Sequence, residues 1–420
     1  MDFRHSSIDE RSRAWHATGD PARLWPGLDP RALAPGALAI EQAVAAILAG
    51  RRSSLGAADG GDAAAIGIAA LVTGTGPLLG DWVERGRLDV HGNLAGLLAR
   101  HLDHGRRRME RVRQEVTPAL SALVGAGVTP VVIKGFHTAQ VYFPEPGVRP
   151  LADVDAIIRP ADIERAEAAL EAAGHVGDPP LQRPYKRQWF PAGMDRRTWS
   201  LEVWHVQSPW WLELHDAPSF GQLLLHRVSL EHPADHSVPW HAGGLPLRVP
   251  DTPHLIAILA THLSGELYGM RLLRLIELIL VVRREREHNG LDWAAVEAVL
   301  NRSGALRFAY PALALSEQLA PGTIEPGILA RARQASTRLG RTVVDQLTPA
   351  TPLLQERVSL AERLMWAAGP TQLMRRVVQM MMPPADVPLA ERLRVYHGRV
   401  RRALTARISW RVTRPPSGRD

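Results

Sequence analysis

The stretch Asp153-Val154-Asp155-Ala156-Ile157-Ile158 restricts this chain more than any other, because it sets two carboxylates two residues apart inside an apolar, β-branched run. Such a run reads as a buried strand. In a strand, residues i and i+2 face the same way, about 6.6 Å apart along it. A second run, Val128-Thr129-Pro130-Val131-Val132-Ile133, lies upstream and ends at Lys134-Gly135. The fold therefore has to contain a sheet with one face that presents paired carboxylates.

The text around these runs is helical. Residues 1 to 30 are polar and loop-rich, and from Leu33 to Arg100 alanine and leucine alternate with glycine breaks, as in helices joined by short turns. A long helical pattern covers Asn93 to Val124, with Arg106, Arg107, Arg108 and Arg111 placed on its solvated part, and Gly125-Ala126-Gly127 stops it. His137 to Phe143 reads as a short helix, and Pro144 to Gly147 as a turn. Pro160 opens a helix that runs to Ala173 and is capped by Gly174. Beyond a proline-rich stretch, Thr198 to Val206 alternates as a strand, with Glu202 and Trp204 on one face. From Asp251 onward the pattern is helical again. The expectation is an α+β fold, a small mixed sheet with helices between helical flanks. It divides into a mainly helical region at 1–92, a core at 93–250 and a C-terminal helical domain with a basic tail at 251–420.

Composition removes whole classes of chemistry. The 420 residues include no cysteine, which excludes disulfides, thiolate metal sites, iron–sulfur clusters and cysteine nucleophiles. The formal charge of +7 comes almost wholly from arginine, since Lys134 and Lys186 are the only lysines among 50 basic residues. That bias does not demand a nucleic-acid partner. No apolar stretch approaches the ~20 residues of a membrane span, and the N-terminus lacks an apolar signal core, so a cytoplasmic protein with no membrane partner is expected. P-loop, His-Glu-x-x-His, Gly-x-Ser-x-Gly and kinase motifs do not occur.

Asp153 and Asp155 have the chemistry and spacing to share hard divalent cations, and a metal pair about 3.5–4 Å apart can hold both oxygens of a phosphoryl displacement. A third carboxylate on an adjoining strand would complete the set. Glu202 is the candidate, with Glu213 in Leu212-Glu213-Leu214-His215 as its rival. Lys134-Gly135 at a strand end offers backbone amides and a point charge to phosphate oxygens, and Arg149 stands ready to pair with a phosphate or with Asp153 or Asp155. The other polar groups have plainer readings. Trp199, Trp204, Trp210 and Trp211 pack against the sheet, His262 and Glu277 are inter-helix polar groups, and His137, the His101–His104 pair and Arg392 to Arg411 lie on solvated surfaces.

The segments Gly127-Val128-Thr129-Pro130-Val131-Val132-Ile133-Lys134-Gly135 and Arg149-Pro150-Leu151-Ala152-Asp153-Val154-Asp155 resemble the signature of the uncharacterised bacterial nucleotidyltransferase proteins. That group lies within the DNA-polymerase-β-like nucleotidyltransferase superfamily. Leu201-Glu202-Val203-Trp204-His205 is similar to the strand that carries the family's third carboxylate. Leu259 to His262 and Leu272 to Glu277 resemble its helical half more weakly. The resemblance covers residues 95 to 285. It implies two magnesium ions on Asp153, Asp155 and Glu202, and a nucleoside triphosphate such as ATP held by Lys134, Gly135 and Arg149. A nucleoside monophosphate would pass to an acceptor, whether small molecule, peptide or RNA. One departure is Phe136 after Gly135, where the superfamily has glycine or serine. The alternatives that stay open are a non-catalytic scaffold that keeps the fold, and a tailoring or toxin-like transferase acting on a peptide or tRNA.

Overall fold

The computed structural model describes residues 30–56, 63–180, 184–196, 206–265, 267, 270–350, 364–367 and 369–374. Before the sheet come helices α1 (Pro30–Leu48), α2 (Ala63–Thr73) and α3 (Gly76–Glu84), with a two-stranded parallel pair, β1 (Ser53–Leu55) and β2 (Leu88–Val90). The long pattern becomes α4 (Leu94–Gly125). Strand β3 (Val131–Ile133) leads into the short α5 (Gly135–Val141), and β4 (Asp153–Ile157) is followed by α6 (Ile163–Ala172). Then come β5 (His175–Gly177), β6 (Lys186–Pro191), β7 (Trp211–His215), a short α7 (Gly221–Leu225) and the hairpin β8 (Ser237–Ala242) and β9 (Leu245–Pro250). The remaining helices are α8 (Thr252–Gly265), α9 (Leu272–Glu287), α10 (Trp293–Arg302), α11 (Leu306–Leu319), α12 (Pro326–Ala335) and α13 (Arg338–Asp345). Helix, mixed sheet and helix make an α+β fold, as the sequence pattern predicts.

The seven-stranded sheet runs β5-β6-β7-β4-β3-β9-β8. Strands β4 and β7 are parallel, as are β3 and β9, and the other pairs are antiparallel. Strand alternation then sorts the two faces. Val132, Val154, Ala156, Leu212 and Leu214 turn to one side, where they pack with Met109, Val112, Val116, Leu120 and Leu123, a stripe at helical spacing along α4. Val131, Ile133 and Ile157 turn to the other and join a cluster that includes Leu94, Leu98, Ile256, Leu259, Ile276 and Ile279. The polar residues of β4 and β7 sit on this second face, between the sheet and the C-terminal helices.

Three readings change on folding. Arg108 is 1% exposed, not solvated; it donates to the carbonyls of Leu151, Ser208 and Pro209 at 2.6, 2.6 and 2.9 Å, because two loops cross α4 there with carbonyls that need donors. His101 and His137 are buried as well, and burial pushes each imidazole down to about 4. The proline-rich stretch yields an unexpected strand, β6, which pairs with β7 over Lys186 to Trp189. The expected strand at Thr198 to Val206, Glu202 included, lies outside the described residues except for Val206.

Candidate active site

Register brings the carboxylates together. Asp155 lies opposite Glu213 across the parallel β4–β7 pair, and opposite Ile133 across β3. Asp153 is two residues before Asp155 on the same face, and His215 is two residues after Glu213. On the far side of β7, Gln188 lies opposite Glu213 and Lys186 opposite His215. Six polar side chains from three strands thus share one patch of the sheet, and strand pairing alone puts them there.

The contacts inside this patch are close. His215 Nε2 stands 2.9 Å from Glu213 Oε1 and 3.2 Å from Asp155 Oδ1. Lys134 Nζ is 3.0 Å from Asp155 Oδ1, and Lys186 Nζ is 2.7 Å from Glu213 Oε1. Gln188 donates to the other Glu213 oxygen at 3.3 Å. Lys134 directs its amine from an unusual backbone position at the end of β3, with φ +54°. A non-glycine residue held there stores about 1–3 kcal/mol, a pattern found at functional sites. Its amine also lies 4.4 Å over the Phe220 ring.

Charge is unevenly shared. Burial, then repulsion from Asp155 and Glu213, pushes the Asp153 carboxyl up to about 7. Burial would also raise Asp155, but Lys134 and His215 outweigh it and hold that carboxyl well below the usual range. Glu213 is likewise lowered against the cost of burial, chiefly by its hydrogen bond to His215. For His215 burial favours the neutral ring, yet the two carboxylates raise it above the ordinary value. Ligand atoms of Asp155, Glu213 and His215 all lie within 4.8 Å of one another, so these residues can hold a metal ion. The fit to a hard divalent cation rests on the oxygen donors and on Asp153, whose raised carboxyl marks excess negative charge in the patch.

A cleft of about 200 Å³ opens over the patch, lined also by Arg149, Phe220, His262, Arg271, Arg274 and Glu277. Its upper wall comes from α8 and α9. Glu277 of α9 accepts from Arg149 Nη2 at 2.9 Å and from the Thr138 hydroxyl. Arg274 Nη1 is 3.1 Å from His262 Nδ1. Burial first, then Lys134 and Arg274, keep His262 well below its ordinary value and therefore neutral. A side chain at Gly135 would meet Arg149 Nη1 and Leu151 Cδ1, each at 2.8 Å, and would have to push them aside.

The structure gathers Lys134, Gly135, Arg149, Asp153 and Asp155 around one cleft. Arg149 is corrected in one respect: its ion pair is with Glu277, not with Asp153 or Asp155, because α9 packs directly over it. Glu202 lies outside the described residues, while its rival Glu213 stands beside Asp155. Lys186, His215, Gln188 and Arg274 were not predicted as site residues. Lys186 carried one signal in the sequence, as a lysine in a chain that otherwise uses arginine.

A family model described as "Uncharacterised nucleotidyltransferase" matches residues 66–321 of the 420. No curated protein matches the chain. Among solved structures it is similar to an antigenic nucleotidyltransferase-like protein from Paracoccidioides brasiliensis, at 12% identity and a TM-score of 0.28, over 48% of this chain and 92% of that one. Among the described residues, no single helix is long and apolar enough to cross a membrane.

Proposed function

The chain belongs to the uncharacterised nucleotidyltransferase family, and on that premise we propose that it moves a nucleoside monophosphate from a nucleoside triphosphate to a hydroxyl-bearing acceptor. The observation that carries this reading is the set Asp153, Asp155 and Glu213 on two paired strands at the floor of a cleft walled by cations. These three carboxylates would hold two magnesium ions, which supply charge neutralisation and an activated acceptor oxygen. Glu213 takes the place given to Glu202 on sequence grounds, since it faces Asp155 directly.

Each basic group has a task in this scheme. Lys134 and Lys186 flank the carboxylates and meet the charge of the triphosphate as it arrives. Arg271 and Arg274 line the opposite wall and orient the β- and γ-phosphates. Arg149, held by Glu277, keeps the turn at Gly135 in shape. The acceptor hydroxyl gives its proton to a carboxylate of the set Asp153, Asp155 and Glu213, its oxygen bonds to the α-phosphorus as the bond to the bridging oxygen breaks, and pyrophosphate leaves with that electron pair. Catalysis is then positioning and charge stabilisation inside a partly dry cleft.

The test is magnesium-dependent binding of each nucleoside triphosphate by calorimetry, with the Asp153→Asn/Asp155→Asn double variant as control. Binding of at least one triphosphate, lost in the variant, is the expected result. A folded protein that binds none would favour the second reading, a non-catalytic scaffold. One observation supports that reading: Asp155 and Glu213 are each already paired with a lysine. The acceptor, whether small molecule, peptide or tRNA, follows from a screen with the labelled triphosphate that binds.

A further inference from the structure

A second group of metal-ligating side chains meets at the start of α8, at the opposite end of that helix from His262. Glu231 and His236 come from the segment between α7 and β8, and His254 from the first turn of α8. One ligand atom from each lies within 4.8 Å of the other two. The β8–β9 hairpin folds these segments together, with Ser237 opposite Pro250 and the Asp251 amide donating to the His236 carbonyl at 2.9 Å. The His236 and His254 rings stack with centroids 4.2 Å apart and planes 10° from parallel, so the half-exposed His236 ring has to turn out of the stack for both to face one ion.

Hydrogen bonds orient the donors. His254 Nδ1 is 2.7 Å from Asp251 Oδ1; a carboxylate only accepts, so Nδ1 carries a proton, and Nε2, which faces a second carboxylate, gives up its own proton when it takes an ion. That Nε2 faces Glu231 Oε2 at 3.3 Å. Around a tetrahedral zinc ion with bonds of about 2.0–2.1 Å, neighbouring donor atoms lie about 3.3–3.4 Å apart. The Asp251–His254 pair also has the form in which a carboxylate fixes the tautomer of a metal-bound imidazole. Arg302 grips both Glu231 oxygens at 2.6 and 2.7 Å, which fixes the carboxylate while each oxygen keeps a lone pair. The nearby His232 is spent otherwise: its Nδ1 accepts from the Ala234 amide and its Nε2 lies against the Ile158 carbonyl.

The donor set selects the cation. Two imidazoles and one carboxylate suit zinc, whereas magnesium favours near-complete oxygen coordination. With no cysteine in the chain, a zinc site here has to be built from histidine and carboxylate. We propose that Glu231, His236 and His254 bind one zinc ion, with Asp251 orienting His254 and water completing the coordination. The ion pins the base of the β8–β9 hairpin to the start of α8, the helix that carries Leu259 and His262 to the cleft.

The full chain, stripped with a chelator, is titrated with zinc ions by calorimetry, and the bound metal is read by X-ray absorption. One equivalent of zinc with two imidazole ligands is expected, not displaced by millimolar magnesium. His236→Ala, at a half-exposed position, should weaken binding by about 100-fold or more, and Asp251→Asn by about 10- to 100-fold. His215→Ala, in the carboxylate cluster, should leave it unchanged. If His215→Ala removes the zinc while His236→Ala keeps it, the ion belongs to the other cluster and the proposal is overturned. A folded wild-type chain that binds no zinc overturns it equally.

Discussion

Asp153 is held at odds with its own charge, and this sets its pH behaviour. Its carboxyl titrates near 7 in the folded chain against an ordinary 3.8. Between those values the folded state binds more protons than the unfolded one, so stability falls as pH rises. In chelator, Asp153→Asn should remove that loss. Because Asp153 is partly exposed, the gain at pH 8 is expected at about 1–2 kcal/mol, read as a flatter urea midpoint between pH 4 and 8. An unchanged slope would place the strain elsewhere. The same residue separates stability from function, since this more stable variant should lose triphosphate transfer. Glu202→Gln and Glu213→Gln, compared side by side in that assay, identify the third carboxylate. Glu213→Gln is expected to lose about 3 kcal/mol or more of transition-state stabilisation, about 100-fold or more, and Glu202→Gln little. The pair Asp153 and Asp155 was legible in the sequence because both lie in one short strand. Glu213 was legible only as a rival to Glu202, and Lys186 and His215 not as site residues, because only the pairing of β7 with β4 and β6, distant in the chain, makes them neighbours.

At the scale of elements, Arg108 is what aligns the strands of the site. From α4 it donates to the carbonyls that lead into β4, at Leu151 and Ala152, and to those that lead into β7, at Ser208 and Pro209. One planar guanidinium thereby ties two strand starts together, and supports the strand pairing that sets Asp155 opposite Glu213. Arg108→Met takes a donor from four carbonyls, two of them on buried residues, and should cost roughly 3 kcal/mol or more in urea unfolding. The exposed, helix-local Arg107, paired with Asp103, should cost less than about 1 kcal/mol when changed to alanine. Hydrogen exchange at the β4 and β7 amides should quicken only in the Arg108 variant. Helix periodicity gave α4 its length correctly. It misread Arg108 because three consecutive arginines look like a solvated face, and nothing local announces that two loops will bring their carbonyls to one of them.

At the scale of the whole molecule, the sequence pattern divides the chain into three segments, and one apolar core runs through all of them. One apolar cluster takes in Val44 and Leu79, then Ile133 and Ile157, then Ile256, Ile279 and Leu313. Glu41 of α1 accepts from the Thr348 hydroxyl and the Ala350 amide, tying early chain to late. The family match likewise runs through all three, from 66 to 321. A fragment of residues 93–250 would expose the sheet face that α8 and α9 cover. It should lack a cooperative urea transition by near-ultraviolet circular dichroism, where residues 30–350 should keep one. A fragment that unfolds cooperatively would show the core to be independent of its flanks.

Both lysines of the chain line the cleft, Lys134 nearly buried and Lys186 half-buried. For covalent labelling this means that the side-chain amines form a reporter set confined to one place. An acylating reagent adds mass to no other side-chain amine, so mass spectrometry of Lys134 and Lys186 measures how much of the population has the cleft filled, without a dye, a fusion or knowledge of the acceptor.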